Sequence, residues 1–491
     1  MKTQEANLQK AKPQSDSRES SKSASTKSLN HRQQKHLETL IARYTKRTKT
    51  SKQLTQVYRP VLADPRGSLG FHPLLKEMVY PIIGKRTFGS KIWDIDGNEY
   101  VDLDMGFGVH LFGHNPPFIK EALEKRLEQS IDIGPQSDLA GEVAELVSEL
   151  TGMERVTFSN TGTEAVMAAI RLARAATGCN KIALFSYSYH GHSDNTLVKA
   201  EEVDGNPSVV PAYLGVPPNI AENVLVLDYG NPQSLEIIKA HEQELAAVIV
   251  EPVQSQRPNI QPKEFLQQLR QLTRESGIVL IFDEMITGFR IHPGGAQAWF
   301  GVEADIVTYG KIVGGGMPIG IIAGKATYMD RIDGGMWNYG DESSPSVKQT
   351  LFAGTFCKHP LAMAAARAVL KQLKTQGLIL QQQLNQRTSQ FVKNLNACCE
   401  EQQLPIQFAN FGSIFNTVFL ENASSLENIM LSLNLLYYHL INKGVYLRQS
   451  FCALSTAHTD EDLDYIIQAI KDSVEELREG GFLTRSTCQI S

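Results

Sequence analysis

Apolar positions along this chain recur at two spacings that alternate between residues 118 and about 308. Apolar residues three and four apart predict amphipathic helices over 118–129, 138–151, 163–177, 234–243 and 263–275. Short, wholly apolar runs predict buried strands over 155–158, 181–185, 224–226, 246–250, 278–282 and 305–308. Strands apolar on both faces, separated by helices, belong in a mainly parallel sheet covered on both sides. In that α/β architecture the chemistry sits at strand ends.

Outside this region the pattern changes. Leu37, Leu40, Ile41 and Tyr44 fall at helical spacing, and residues 91–102 alternate about Asp96-Gly97-Asn98, which predicts a hairpin. After a helix over 360–376 come a polar-faced helix near 378–396, a strand-like segment over 412–419, a helix near 425–442, a short strand over 445–448 and a last helix over 460–478. Thr459 and Asp462 have capping-box spacing for that last helix. The expectation is a smaller α+β domain, completed by the N-terminal hairpin. The expected division is a tail or linker over 1–30, a helix and small-domain segment over 31–115, a large domain over 116–369 and a small domain over 370–480.

Composition narrows the class. A chain of 491 residues, 42% hydrophobic, is long enough for more than one domain. A net charge of -5 gives no sign of a nucleic-acid partner, and no apolar run approaches membrane-spanning length. Residues 1–30 are rich in Ser, Lys and Gln, without an aromatic residue, and are read as disordered. They lack a secretory core, and Glu5, Asp16 and Glu19 speak against a transit peptide, so a cytoplasmic protein is expected. The six cysteines have neither metal nor disulfide-framework spacing.

The candidate chemistry lies at the predicted strand ends. Lys311, in Gly310-Lys311-Ile312-Val313-Gly314-Gly315-Gly316, stands 28 residues after Asp283, which ends a hydrophobic strand. A lysine to form an imine and a carboxylate beneath a pyridine nitrogen are what pyridoxal 5'-phosphate requires. Thr161, Gly162 and Thr163 open a helix and offer N–H and hydroxyl donors to a phosphate. Tyr189 is placed to stack on the ring with His190 beside it, and Met285 to pack against it. Glu251 ends strand 246–250, where it could order the incoming amine or Gln254. Thr355, beside Gly354, is a second phosphate donor. Glu284 is expected in a structural ion pair. His190 and His192 have no further ligands for a metal.

These residues resemble the class III, fold-type I aminotransferases over roughly residues 57–475, most closely the branch containing glutamate-1-semialdehyde 2,1-aminomutase. The resemblance rests on Trp93-Asp94-Ile95-Asp96-Gly97-Asn98-Glu99-Tyr100, Asn160-Thr161-Gly162-Thr163-Glu164-Ala165, Tyr189-His190-Gly191-His192, Asp283-Glu284-Met285-Ile286-Thr287-Gly288-Phe289-Arg290, Gly310 to Gly316 and Ala457-His458-Thr459-Asp460-Glu461-Asp462. It implies a seven-stranded, mainly parallel sheet and a homodimer with both active sites at the interface. It also implies Lys311 as imine former and proton carrier, Asp283 under the ring nitrogen, Tyr189 above the ring, and Thr161, Gly162 and Thr163 at the phosphate. Thr355 matches a threonine that serves the neighbouring subunit, and Glu251 a strand-end glutamate on the substrate side.

The segments 58–71 and 446–455 depart from the aminomutase pattern for a small carboxylate. With 335–340 and 353–360 they resemble aminotransferase domains of polyketide and nonribosomal-peptide synthases. That implies transfer of an amine from an amino-acid donor, glutamate or glutamine, to a β-ketoacyl thioester on an acyl carrier protein, by a free-standing enzyme or a synthase domain. Two alternatives stand beside it: glutamate-1-semialdehyde 2,1-aminomutase, and a scaffold that kept the fold and lost the chemistry.

Overall fold

The computed structural model describes residues 29–68, 71–203, 206–419, 426–447 and 451–483. The expected tail over 1–30 therefore lies almost wholly outside the described residues, as do Arg448, Gln449 and Ser450 of the altered late segment.

Helix α1 (His31–Arg47) starts at Asn30, whose side chain and that of Gln33 form a capping box, and it buries Leu37, Leu40 and Tyr44. Helix α2 (Lys49–Tyr58) follows a break at Thr48. Strands β1 (Gly84–Phe88), β2 (Lys91–Asp94) and β3 (Glu99–Asp102) form an antiparallel set, and β2 and β3 are the expected hairpin. Helices α3 (Pro117–Gln129) and α4 (Ala140–Thr151) lead into β4 (Arg155–Ser159) and α5 (Gly162–Thr177). Then come β5 (Lys181–Phe185), a polar hairpin of β6 (Val198–Val203) and β7 (Asn206–Pro211), and β8 (Val224–Leu227). Helix α6 (Pro232–Ala240), β9 (Leu245–Val250), α7 (Lys263–Ser276), β10 (Val279–Asp283), β11 (Ile306–Tyr309) and β12 (Gly320–Gly324) complete the central region.

The large sheet has seven strands in the order β4-β12-β11-β10-β9-β5-β8. From β11 to β8 every pairing is parallel, whereas β12 runs antiparallel to both β11 and β4. All residues of β9, β10 and β12 are buried, so the sheet is closed to water on both faces. The six strands expected from apolar runs are present, and β12 is the seventh, missed because its sequence GIIAG is short and bounded by glycines.

The chain continues through α8 (Pro360–Gln376), α9 (Leu378–Glu401), β13 (Ile406–Phe411), β14 (Ile414–Phe419), α10 (Leu426–Asn442), β15 (Val445–Tyr446), β16 (Cys452–Ala453) and α11 (Asp460–Glu479). The expected strand over 412–419 is β14, with Gly412, at φ 57°, in the turn before it, and it pairs antiparallel with β13, which was not expected. Strand β15 pairs parallel with β3, so the N-terminal hairpin and the C-terminal region share one sheet. The capping box of Thr459 and Asp462 opens α11 as expected.

Candidate active site

The C-terminal ends of β4, β9, β10 and β11 converge on a cavity of about 490 Å³, lined on one side by the start of α5 and on the other by the loop 316–319. Lys311, Asp283, Glu251, Thr161, Gly162, Thr163, Tyr189, His190 and Met285 all line it. Thr355 does not; it is exposed in a turn next to Gly354.

Asp283 is buried at the end of β10 and held on both carboxylate oxygens. His190 Nδ1–H donates to Oδ2 at 2.8 Å, and Thr308 Oγ1–H and the Met285 N–H donate to Oδ1, each at 3.2 Å. Thr308 is the register partner of Asp283 on β11, which is why the two meet. With no rotational freedom left, the carboxylate presents a fixed negative edge to the cavity. The buried His190 keeps Nε2 without a partner among the described residues, so polar capacity remains beside Asp283.

Lys311 follows β11 in a left-handed conformation, φ 44°, at the start of a short 3-10 turn. The preceding Gly310 is needed for close approach: a Cβ there would stand 2.7 Å from Met285 Sδ and 3.1 Å from the Ile319 carbonyl oxygen. Burial lowers the Lys311 pKa below the ordinary lysine value. Asp283 and Glu251 oppose the shift, and Arg290 adds to it. The amine is thereby moved toward its neutral, nucleophilic form.

Glu251 does not reach Gln254, whose amide donates to the Ser186 carbonyl at 2.8 Å. Its Oε1 accepts from the Tyr189 N–H at 2.6 Å and its Oε2 from the Ser255 N–H at 3.1 Å. It therefore fixes the backbone that carries the Tyr189 ring. Burial raises its pKa, against the pull of His190 and the Tyr189 N–H.

The start of α5 lines the cavity and is capped by side chains. Thr161 is the N-cap, its Oγ1 accepting from the Glu164 N–H at 3.2 Å, and Glu164 Oε2 accepts from the Asn160 N–H at 2.8 Å. First-turn N–H groups have no partner inside a helix, and Gly162 and Thr163 line the cavity.

The opposite wall depends on a strained turn. Met105, Gly106, Phe107 and Gly108 are all left-handed, with φ of 46°, 63°, 56° and 82°. Asp102 holds this run, its Oδ1 accepting from the Asp104 and Met105 N–H groups while His114 Nε2–H donates to Oδ2 at 2.8 Å. Arg290, fully buried and with a pKa lowered to about 9 by that burial, donates to the Gly108 carbonyl and to Ser413 Oγ. The turn sets Val109 on the cavity wall. Sequence reading did not single out Thr308, Arg290, Ser255 or Val109; of these only Thr308, a polar strand-end residue next to the Asp283 strand, carried a local signal.

The expected ion pair of Glu284 is corrected. Its carboxylate is buried and accepts from the Ala296 N–H (2.6 Å), the Gln297 N–H (3.1 Å) and Thr287 Oγ1–H (3.0 Å), with no cation in ion-pair range among the described residues. No helix among the described residues is long and apolar enough to cross a membrane, and no cluster of three or more metal-ligating side chains is found among them.

The site fits pyridoxal 5'-phosphate. The cavity is roomy, the helix start offers phosphate donors, Asp283 and the unpartnered His190 Nε2 supply polar groups for a ring nitrogen, and Lys311 supplies the amine. The comparisons agree. The family described as aminotransferase class-III matches residues 75–474. A glutamate-1-semialdehyde 2,1-aminomutase of Ruminiclostridium cellulolyticum is 38% identical over 81% of this chain and 91% of its own; that of Archaeoglobus fulgidus is 35% identical over 80% and 93%. An omega-transaminase from Sphaerobacter thermophilus superposes with a TM-score of 0.78 at 29% identity, covering 87% of this chain and 98% of its own. A transaminase with PLP bound gives 0.77 at 28% identity over 88% and 99%. The chain belongs to the class III aminotransferases and is a fold-type I, pyridoxal-phosphate-dependent aminotransferase.

Proposed function

We propose that this aminotransferase moves an amino group from an amino-acid donor, glutamate or glutamine, to a β-ketoacyl thioester carried on an acyl carrier protein, leaving a β-aminoacyl product. The observation that carries the reading is the cavity wall. Lys311 is the only lysine or arginine that lines it among the described residues, while Val109, Ile286, Met317 and Ile319 make the substrate side apolar. A wall of that kind favours an acyl chain over a small substrate held by its free carboxylate.

Pyridoxal phosphate, when bound, supplies the carbonyl that takes up the amino group and the ring that draws electrons from the neighbouring carbon. Lys311 Nζ removes the proton from the donor's α carbon and later delivers one to the β carbon of the acyl chain. Its lowered pKa suits both tasks. Asp283, fixed by His190 and Thr308, would hold the ring nitrogen, and Tyr189, set by Glu251, would pack on the ring. Thr161, Gly162 and Thr163 would hold the phosphate, Met285 would pack against the ring, and the apolar loop 316–319 would exclude water. Two copies form the working unit, with Thr355 serving the other copy's phosphate. The exposed Met336, Tyr339 and Leu351 support such an interface.

The aminomutase reading is favoured by the relatives, several of which bear that name at 34–38% identity. The two separate in one experiment. Holoenzyme is offered a β-ketoacyl carrier thioester with glutamate or glutamine, and separately glutamate-1-semialdehyde. Intact-mass analysis showing conversion of ketone to amine on the carrier supports the proposal. Rapid 5-aminolevulinate formation with an unchanged carrier mass refutes it.

A further inference from the structure

Charge is distributed very unevenly along this chain. Residues 31–90 hold twelve Lys and Arg against three Asp and Glu, a net +9, while residues 91–491 hold 30 against 47, a net -17. Ten of the twelve basic side chains in that arm are exposed. On α1 they share one face: at about 100° per residue, Arg32, Lys35, Arg43 and Lys46 fall within an arc of about 80°. The buried face of Leu37, Leu40 and Tyr44 is turned well away from it.

Two members of the stripe anchor the helix. Arg43 pairs with Glu476, and Arg32 donates to the Arg478 and Glu479 carbonyls at the end of α11. Lys35, Lys46, Lys49, Arg59, Lys76 and Lys85 make no ion pair among the described residues. At the end of α2 and just beyond it, Val57, Tyr58, Val61 and Leu62 are 53–84% exposed, adding apolar contact area to a cationic surface.

Arg66 lies within electrostatic reach of Tyr446, Tyr446 pairs with Asp102 on β3, and Asp102 holds the left-handed turn that sets Val109 on the cavity wall.

We propose that this arm is the docking surface for the acyl carrier protein, an acidic helical partner that delivers its thioester on a phosphopantetheine arm; this rests on the carrier-borne substrate proposed above. An acidic protein is drawn to the +9 arm, and the -17 remainder orients it there by repulsion. A long polyanion such as nucleic acid would meet that same repulsion over most of the molecule. The apolar residues after α2 suit a folded protein surface.

The test uses full-length holoenzyme and a fluorescently labelled, phosphopantetheinylated acidic acyl carrier protein, with binding read by anisotropy over a salt series. The arm variant combines Lys35→Glu, Lys46→Glu and Lys49→Glu, and Lys393→Glu, on the exposed side of α9, is the control. We expect Kd for the carrier to rise about tenfold at low salt in the arm variant and to be unchanged in the control. Amination of a β-ketoacyl N-acetylcysteamine thioester, which has no carrier, should be unaltered in both. Equal carrier affinity in wild type and arm variant overturns the docking proposal. So does tighter, arm-dependent binding of a DNA duplex, or a change in the arm variant from dimer to monomer in sedimentation. If the carrier-free thioester is aminated and the carrier does not bind, the docking surface fails and the thioester reading stands. If arm-dependent binding is seen without amination of either thioester, the docking surface stands and the substrate reading fails.

Discussion

Glu284 offers a sharp test because, among the described residues, its buried carboxylate has no counter-ion and its only partners are two backbone N–H groups and one hydroxyl. Burial pushes its pKa up from 4.5 to about 7, against the pull of those hydrogen bonds. A carboxyl whose folded pKa lies above its unfolded value is bound to its proton more tightly in the native protein. Its stabilising contribution is therefore full below pH 4.5 and is lost as the pH rises through 7. At about 1.4 kcal/mol per pH unit, that interval corresponds to about 3 kcal/mol. Glu284→Gln removes the titration. The amide cannot accept at both ends, so one buried N–H loses its acceptor at a pH-independent cost of about 1–3 kcal/mol. Urea denaturation of wild type and variant at a series of pH values from 5 to 8 measures the difference directly. The variant should be the less stable at pH 5, and the gap should narrow or close by pH 8. A gap that stays constant across the series would refute the assignment of this titration to Glu284.

Three further outcomes follow from contacts in the site. Glu251→Gln leaves either the Tyr189 or the Ser255 N–H without an acceptor, so kcat/KM should fall about tenfold; steady-state kinetics that match wild type would show that Tyr189 is positioned by other means. Gly320→Ala places a Cβ 2.2 Å from the Thr161 carbonyl oxygen and 2.4 Å from Ser159 Oγ, so β12 and the start of α5 must separate, at about 1–3 kcal/mol. A lowered Tm with weaker pyridoxal-phosphate retention on dialysis is the expected result, and retention equal to wild type counts against phosphate binding there. In the proposed homodimer, Lys311→Ala and Thr355→Ala should each abolish or weaken activity. Mixed dimers made by co-refolding should regain one wild-type site, visible as restored transaminase turnover; no recovery means that Thr355 does not serve the second copy.

How far the sequence reveals this molecule depends on the range of the interaction. The central strands were legible because each is apolar along its whole length: all six residues of β9 are buried, and an apolar run needs no distant partner to be recognised. Asp283 and Lys311 were legible for a related reason, since a polar residue that ends an apolar strand has nowhere to point but the rim of the sheet. Strand β12 was not, because GIIAG is a strand only by virtue of β4 and β11 on either side of it. The β6–β7 hairpin, where Val198 packs inward but no apolar run forms, likewise gives a weak signal. Side-chain partners were the least legible. His190 and Asp283 are 93 residues apart, and their bond exists because β5 and β10 end at the same rim with β9 between them. Glu284 shows how local reasoning fails. An acid beside a strand-end aspartate suggests a cation, yet the first turn of the short helix Gly295–Phe300 brings backbone N–H groups to it instead, and Gly295 allows this because a Cβ there would lie 2.6 Å from the carboxylate. The candidate site residues thus stand at strand ends that any reader of hydrophobic pattern can find. The hydrogen bonds that make those residues work are set by sheet order, which no local window contains.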